Sequence, residues 1–229
     1  AEWFSPADLG ALGSLLQIFL RSAPSVSAYQ ALLGDIQSYA SRWVSVASAV
    51  RVLDIADAVV CGPAIDTETR VSLIATLLSP LHEQRHRLSQ TDRLLAELIA
   101  SDVGLHFDWT TQEPYEGAVD DASTVDPSIL LYSLDVGSLH RASSAINSRW
   151  PDARVQVSAA KVGDPALKQH ARNADIIVLA TRRAAHAATN FIQANRGEQT
   201  EVVYPDGSGS ASMMRALETA VTEWGVVRS

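Results

Sequence analysis

Residues 175–217 read DIIVLATRRAAHAATNFIQANRGEQTEVVYPDGSGSASMMRAL. One apolar run closes at Thr181, and a stretch with helical spacing then carries His186. A second apolar run closes at Pro205, and a Gly/Ser loop from Gly207 to Ser212 opens another helical stretch. Strand, helix, strand, helix is the order of a parallel sheet with crossover helices, because parallel neighbours cannot be joined by a tight turn. The alternation extends upstream to Ser128. Strands are expected over 128–135, 153–160, 175–181 and 200–205, with helices over 136–150, 164–174, 184–195 and 210–224. Pro151, Pro165 and Gly197 punctuate them. The expected fold class is therefore α/β, with a Rossmann-like, four-stranded parallel sheet of flavodoxin-like order 2-1-3-4 over 128–229.

Residues 1–105 have a different character and are expected to form an all-α bundle or hairpin. Ser5-Pro6-Ala7-Asp8 is a helix start, with Leu9, Leu12, Leu16 and Phe19 on one face and Pro24 as terminator. From 25 to 61, Tyr29, Leu32, Ile36, Tyr39, Trp43, Val46, Val50 and Leu53 alternate steps of three and four. This spacing predicts one sustained helical seam, closed by Gly62-Pro63. It reads first as core and second as a dimer seam. Asp66 or Thr67 caps a further helix, kinked at Ser79-Pro80, that resumes to about Asp102 with Gly104 as terminator. Residues 106–127 are acidic and contain two prolines. They are expected to link the two parts, with Trp109 and Tyr115 pinning the segment down.

Composition narrows the function classes. The chain has 229 residues and a net charge of -8, which disfavours a general nucleic-acid or anionic-membrane surface. The single cysteine, Cys61, forbids an intrachain disulfide and fits a reducing, cytoplasmic setting as a small buried residue. No apolar run approaches a membrane span and no signal peptide is evident. The chain starts at Ala, as a trimmed protein or a piece of a larger protein does.

Open α/β sheets bind ligands outside the carboxyl ends of their strands. Three loops are expected to meet there. The first carries Asp135, Gly137 and Ser138, and the second Thr181, Arg182, Arg183 and His186. The third carries Asp206, Gly207, Ser208, Gly209, Ser210 and Ser212. Free N–H groups and hydroxyls at a helix start, joined by Arg182 or Arg183, make a cradle for a small anionic or nucleotide-like ligand. The plainer reading is that the glycines turn, a serine caps and the arginines are solvated. His186 near a helix start reads as acid, base or ligand, or as a packing residue. His186 and Asp135 are the catalytic candidates if the chain is an enzyme on a nucleotide-like substrate.

His82-Glu83-Gln84-Arg85-His86 matches H-E-x-x-H, which on a helix sets two imidazoles one turn apart for zinc with Glu83 as base. Glu97, Asp102 or His106 would complete the set. Pro80 just upstream, the polar Gln84 and Arg85, and the lack of a third-ligand motif favour a solvated helix face. No cofactor is called for: the P-loop lysine, G-x-G-x-x-G, G-x-S-x-G and Cys-pair signatures are all lacking.

Residues 128–220 resemble an uncharacterised bacterial domain family, a small Rossmann-like domain often preceded by a helical or coiled-coil region. Ala174-Asp175 begins the strand as in that family. Thr181 and His186 keep the ends of its T-D-x-x-S-H motif. Ser208, Gly209 and Ser212 occupy its S-x-L-S-S loop, and Val162-Gly163-Asp164 matches the stretch before its second helix. Arg182 replaces the acid, Ala185 replaces the serine, and Leu134-Asp135-Val136-Gly137 replaces a Gly-Gly. The resemblance implies no activity, and these departures favour binding or assembly over catalysis. The expectation is a non-catalytic module of a larger bacterial protein or complex, with a protein partner or homo-oligomer engaged through the helical unit.

Overall fold

The computed structural model of the chain describes residues 5–43, 45–111, 127–181, 184–207 and 209–228. The chain forms two compact units, Ala1–Val119 and Asp120–Ser229.

In the first unit, helix α1 spans Pro6–Arg21 and starts with a full capping box. The Ser5 hydroxyl accepts the Asp8 N–H at 3.3 Å, and the Asp8 carboxylate accepts the Ser5 N–H at 2.9 Å. Leu9, Leu16 and Leu20 are its buried stripe. The expected single helix over 25–61 is two: α2, Val26–Ala40, and α3, Val46–Cys61. Arg42 and Trp43 close a turn on the carbonyls of Tyr39 and Ala40, and Ser45 caps α3 through the Ser48 N–H. The spacing of three and four runs across this break in phase. The seam also shifts: Tyr29, Leu33, Ile36 and Ala40 are the buried residues of α2, while Tyr39 is 43% exposed. Helix α3 is apolar nearly all round, with Val52, Leu53, Ile55, Ala56 and Val59 buried, and it packs against α1. Asp54 is buried and pairs with Arg51 at 3.7 Å. Cys61 is only half-buried, with its thiol 4.0 Å from the Asp57 carboxylate.

Helix α4 spans Thr67–Glu83, capped by Asp66, and α5 spans Gln90–Asp102, capped by Ser89. Both pack against α3. The helix does not restart at Ser79-Pro80: Pro80 lies inside α4, which runs on for three residues. The break falls instead at residues 84–89, where a 3-10 turn, Arg85–Arg87, links the two helices. Proline removes one N–H near a helix end, where the ladder is already running out, so the ending is displaced rather than forced at once. Trp109 is buried, as expected of a pin, and Tyr115 lies outside the described residues.

The second unit is the α/β sheet. Strand β1 spans Ser128–Tyr132, β2 Arg154–Ser158, β3 Ile176–Leu179 and β4 Glu201–Val203. All pairs are parallel and the order is β2-β1-β3-β4, as the sequence predicts. The strands are shorter than expected because the residues beyond them turn into loops at the carboxyl edge. Helices α6 (Val136–Arg149), α7 (Pro165–Asn173), α8 (His186–Asn195) and α9 (Ser210–Arg228) follow β1 to β4 in turn. Helices α7 and α8 pack together on one face, over Leu130, Tyr132, Ile177 and Leu179. Helices α6 and α9 pack together on the other, which by strand alternation receives Ile129, Leu131, Ile176 and Val178. Among the described residues no helix is long and apolar enough to cross a membrane.

Candidate functional site

Strands β1 and β3 are neighbours, yet their following helices leave to opposite faces of the sheet. That makes the β1–β3 exit the topological switch point, where a crevice opens in folds of this kind. The register sets Tyr132 beside Leu179, so the turns carrying Asp135 and Thr181 leave side by side. The third expected loop follows β4, on the far side of β3 from β1.

Tyr132 ties this edge together. Its phenol is fully buried; the hydroxyl donates to the Ala160 carbonyl at 2.7 Å and accepts the Ala185 N–H at 3.3 Å. One side chain from β1 thus fixes the loops that follow β2 and β3.

The helix starts on this edge differ in chemistry. Asp135 Oδ1 accepts the Ser138 N–H at 3.2 Å, and Asp164 Oδ1 accepts the Leu167 N–H at 2.7 Å, so α6 and α7 are capped by carboxylates. Helix α8 begins after Ala185 with no side-chain cap. The amides of an uncapped first turn keep their donor capacity and the positive end of the helix dipole. His186, its first residue, is exposed, and among the described residues its ring has no hydrogen-bond partner.

The expected site residues separate on this geometry. Asp135, Gly137 and Ser138 sit at the start of α6, with Ser138 buried. Thr181 is exposed just past β3. Arg182, Arg183 and Ser208 lie outside the described residues. Gly207 is half-buried, and Gly209, whose carbonyl accepts the Met213 N–H at 3.1 Å, is buried. Ser210 and Ser212 are fully buried. Asp206 forms an ion pair with Arg215, which also reaches the Ser212 hydroxyl at 3.4 Å. The Gly/Ser loop therefore turns its described hydroxyls into the fold. Sequence reasoning passed over Tyr132, since a tyrosine in an apolar strand reads as core. Ala185, at the cap position, has no side-chain oxygen to offer, and α8 starts without a side-chain cap.

In the H-E-x-x-H stretch Glu83 and His86 are exposed, while His82 and Arg85 hold the segment that follows α5. Helix α4 ends at Glu83, so His86 falls in the 3-10 turn and the one-turn spacing of the two imidazoles is broken. His82 Nε2 donates to the Asp108 carbonyl at 2.8 Å, and its ring packs on Phe107 and Trp109 with centroids 5.3 Å away. Arg85 Nε donates to the Thr110 carbonyl at 2.9 Å, and Arg93 to the Thr111 hydroxyl at 3.0 Å. The Thr110 hydroxyl and amide hold the Asp108 carboxyl below its ordinary range, helped by the charges of Arg85 and His82. Among the described residues no group of three or more His, Cys, Asp or Glu side chains is placed to hold a metal ion.

Against known proteins, the DpdD-like family pattern matches residues 1–216, spanning the helical unit and nearly all of the α/β unit. No curated protein and no solved structure matches the chain.

Proposed function

The chain belongs to the DpdD-like family, and we propose that it is a non-catalytic binding and assembly module. In this reading a small anionic or nucleotide-like ligand docks at the carboxyl edge of the sheet, and the helical unit holds a protein partner or a second copy. The observation that carries it is the uncapped start of α8 beside the β1–β3 exit. An anion there replaces the missing side-chain cap, accepting the first-turn amides at the positive dipole end. Tyr132 holds the turn in place through the Ala185 N–H, so the cradle is fixed before the ligand arrives. Arg182 and Arg183, between β3 and α8 in the chain, supply the cations.

The catalytic alternative lacks support. The Asp135 carboxylate is committed to the Ser138 amide, and the His186 ring has no described partner to orient it. Assembly through the helical unit is supported by Leu15 and Ile18 of α1, each 64% exposed and three residues apart on one face.

The test is a titration with inorganic phosphate, AMP and ATP, read as thermal stability and as amide shifts of residues 186–188. Binding to the folded chain raises its melting temperature by mass action. Ala185→Ser restores a capping hydroxyl, so it should stabilise the unliganded chain and weaken anion binding. If no anion moves the 186–188 amides, the reading is wrong.

A further inference from the structure

The sheet has two outer strands, and they differ in how they meet solvent. Strand β4 is three residues long, opens with Glu201 and runs on to Pro205, so it presents little ladder to a newcomer. Strand β2 is five residues long and holds no proline, lysine or acid. The Arg154 N–H donates to the Pro127 carbonyl at 3.1 Å, and the Ser158 carbonyl accepts the Ser133 N–H at 3.2 Å. A parallel ladder alternates, so Arg154, Gln156 and Ser158 turn their backbone groups to β1. Val155 and Val157 turn theirs outward, where no group meets them among the described residues. Apolar surface accompanies this open edge: Val157 is 47% exposed, and Val162, in the loop that leaves β2, is 64% exposed. Opposite charges flank it. Asp152 just before the strand and Lys161 just after it are both exposed, and neither has a side-chain partner among the described residues.

These features select one partner. A second copy of β2, laid antiparallel about a two-fold axis at Gln156, offers the matching groups. Val155 of each copy then faces Val157 of the other, and each facing pair exchanges both of its backbone bonds without leaving the strands. Each pair also covers the exposed Val157 with a β-branched neighbour. The same axis sets Asp152 next to Lys161 of the second copy at both ends of the contact. A parallel arrangement would bring like charges together at each end instead. The short, guarded edge of β4 keeps the assembly closed at a dimer.

We infer that β2 pairs antiparallel with β2 of a second copy of this chain, joining two four-stranded sheets into one continuous sheet. The contact lies on the α/β unit and does not rest on assembly through α1. The experiment follows amide hydrogen exchange of the full chain at about 20 µM and about 1 mM, a range that spans weak, small interfaces, with mass read by sedimentation. The Val155 and Val157 amides should exchange several-fold more slowly at the higher concentration as the mass rises towards a dimer. The Gln156 amide, already held by β1, should change little. Val157→Lys, at an exposed position, should remove the concentration dependence while the melting temperature holds. Asp152→Lys should weaken pairing about threefold or more, and adding Lys161→Asp should restore it. This charge swap keeps the test independent of how the strand tolerates a lysine. Leu15→Glu on α1 should leave protection at 155 and 157 unchanged; a loss there assigns the contact to the helical unit and overturns the inference. It is equally overturned if the two valine amides exchange alike at both concentrations or if Val157→Lys keeps the protection. Undiminished pairing in Asp152→Lys, or a swap that fails to restore it, overturns it as well.

Discussion

Gly163 stands directly against the ring of Phe191, so closely that a Cβ at the glycine would overlap ring atoms Cγ, Cδ2 and Cε2. Gly163 belongs to the turn that leads into α7, and Phe191 sits on α8, so this contact closes one helix start onto its neighbour. Gly163→Ala is expected to destabilise the chain by about 1–3 kcal/mol, because Cγ lies near the rotation axis and the ring cannot swing clear. Urea unfolding measures it. Adding Phe191→Leu should recover part of the loss, since the two positions touch and their effects do not add.

Tyr132→Phe removes one hydroxyl and leaves two backbone groups short, the Ala160 carbonyl and the Ala185 N–H. The expected cost is about 1–3 kcal/mol. Hydrogen exchange provides the sharper readout: the Ala185 amide should lose protection while the amides of β1 keep theirs. Equal protection at Ala185 in both proteins would mean the hydroxyl does not hold that turn.

Asp135 tests capping against acid–base chemistry. Asp135→Asn keeps an oxygen for the Ser138 amide and should leave stability within a few tenths of a kcal/mol, whereas Asp135→Ala should cost about 0.5–2 kcal/mol. Thermal melts of the two variants decide it. A loss in the asparagine variant as large as in the alanine variant would show that charge matters there.

Asp66 sets a limb of the acid response. The Gln30 carboxamide and the Thr69 amide hold its carboxyl below the ordinary range in the folded chain. A lowered folded value means the contribution is complete above the unfolded pKa, about 3.9, and is lost as pH falls through the folded one. Stability measured below about pH 4 should therefore fall less steeply in Asp66→Asn than in the parent. Identical slopes would show that the carboxyl titrates alike in both states.

Much of the fold was legible because its punctuation is chemical. Pro165 opens α7 behind the Asp164 cap, Asp135 opens α6, and the apolar strands between them alternate with helical spacing. The helical unit was misread where spacing stayed in phase across a gap. Tyr39, Trp43 and Leu53 fit one seam on paper, but α2 ends at Ala40 and α3 begins at Val46. The candidate site was harder to read, because capping depends on which oxygen reaches which amide. Ala185 shows in the sequence only as a missing serine, and nothing there says that Tyr132, 53 residues upstream, supports its amide.

The strand order has a consequence for how the second unit is built during translation. Strand β1 is interior, yet it emerges from the ribosome before both of its lateral neighbours. It can gain β2 early, but its other edge stays open until residues 176–179 arrive. A nascent chain halted in that interval presents the unpaired N–H and C=O groups of Ile129 to Tyr132, flanked by apolar side chains, along one bare side, the kind of edge that recruits strands from elsewhere. Elongation through β3 is thus the step that ends the exposure.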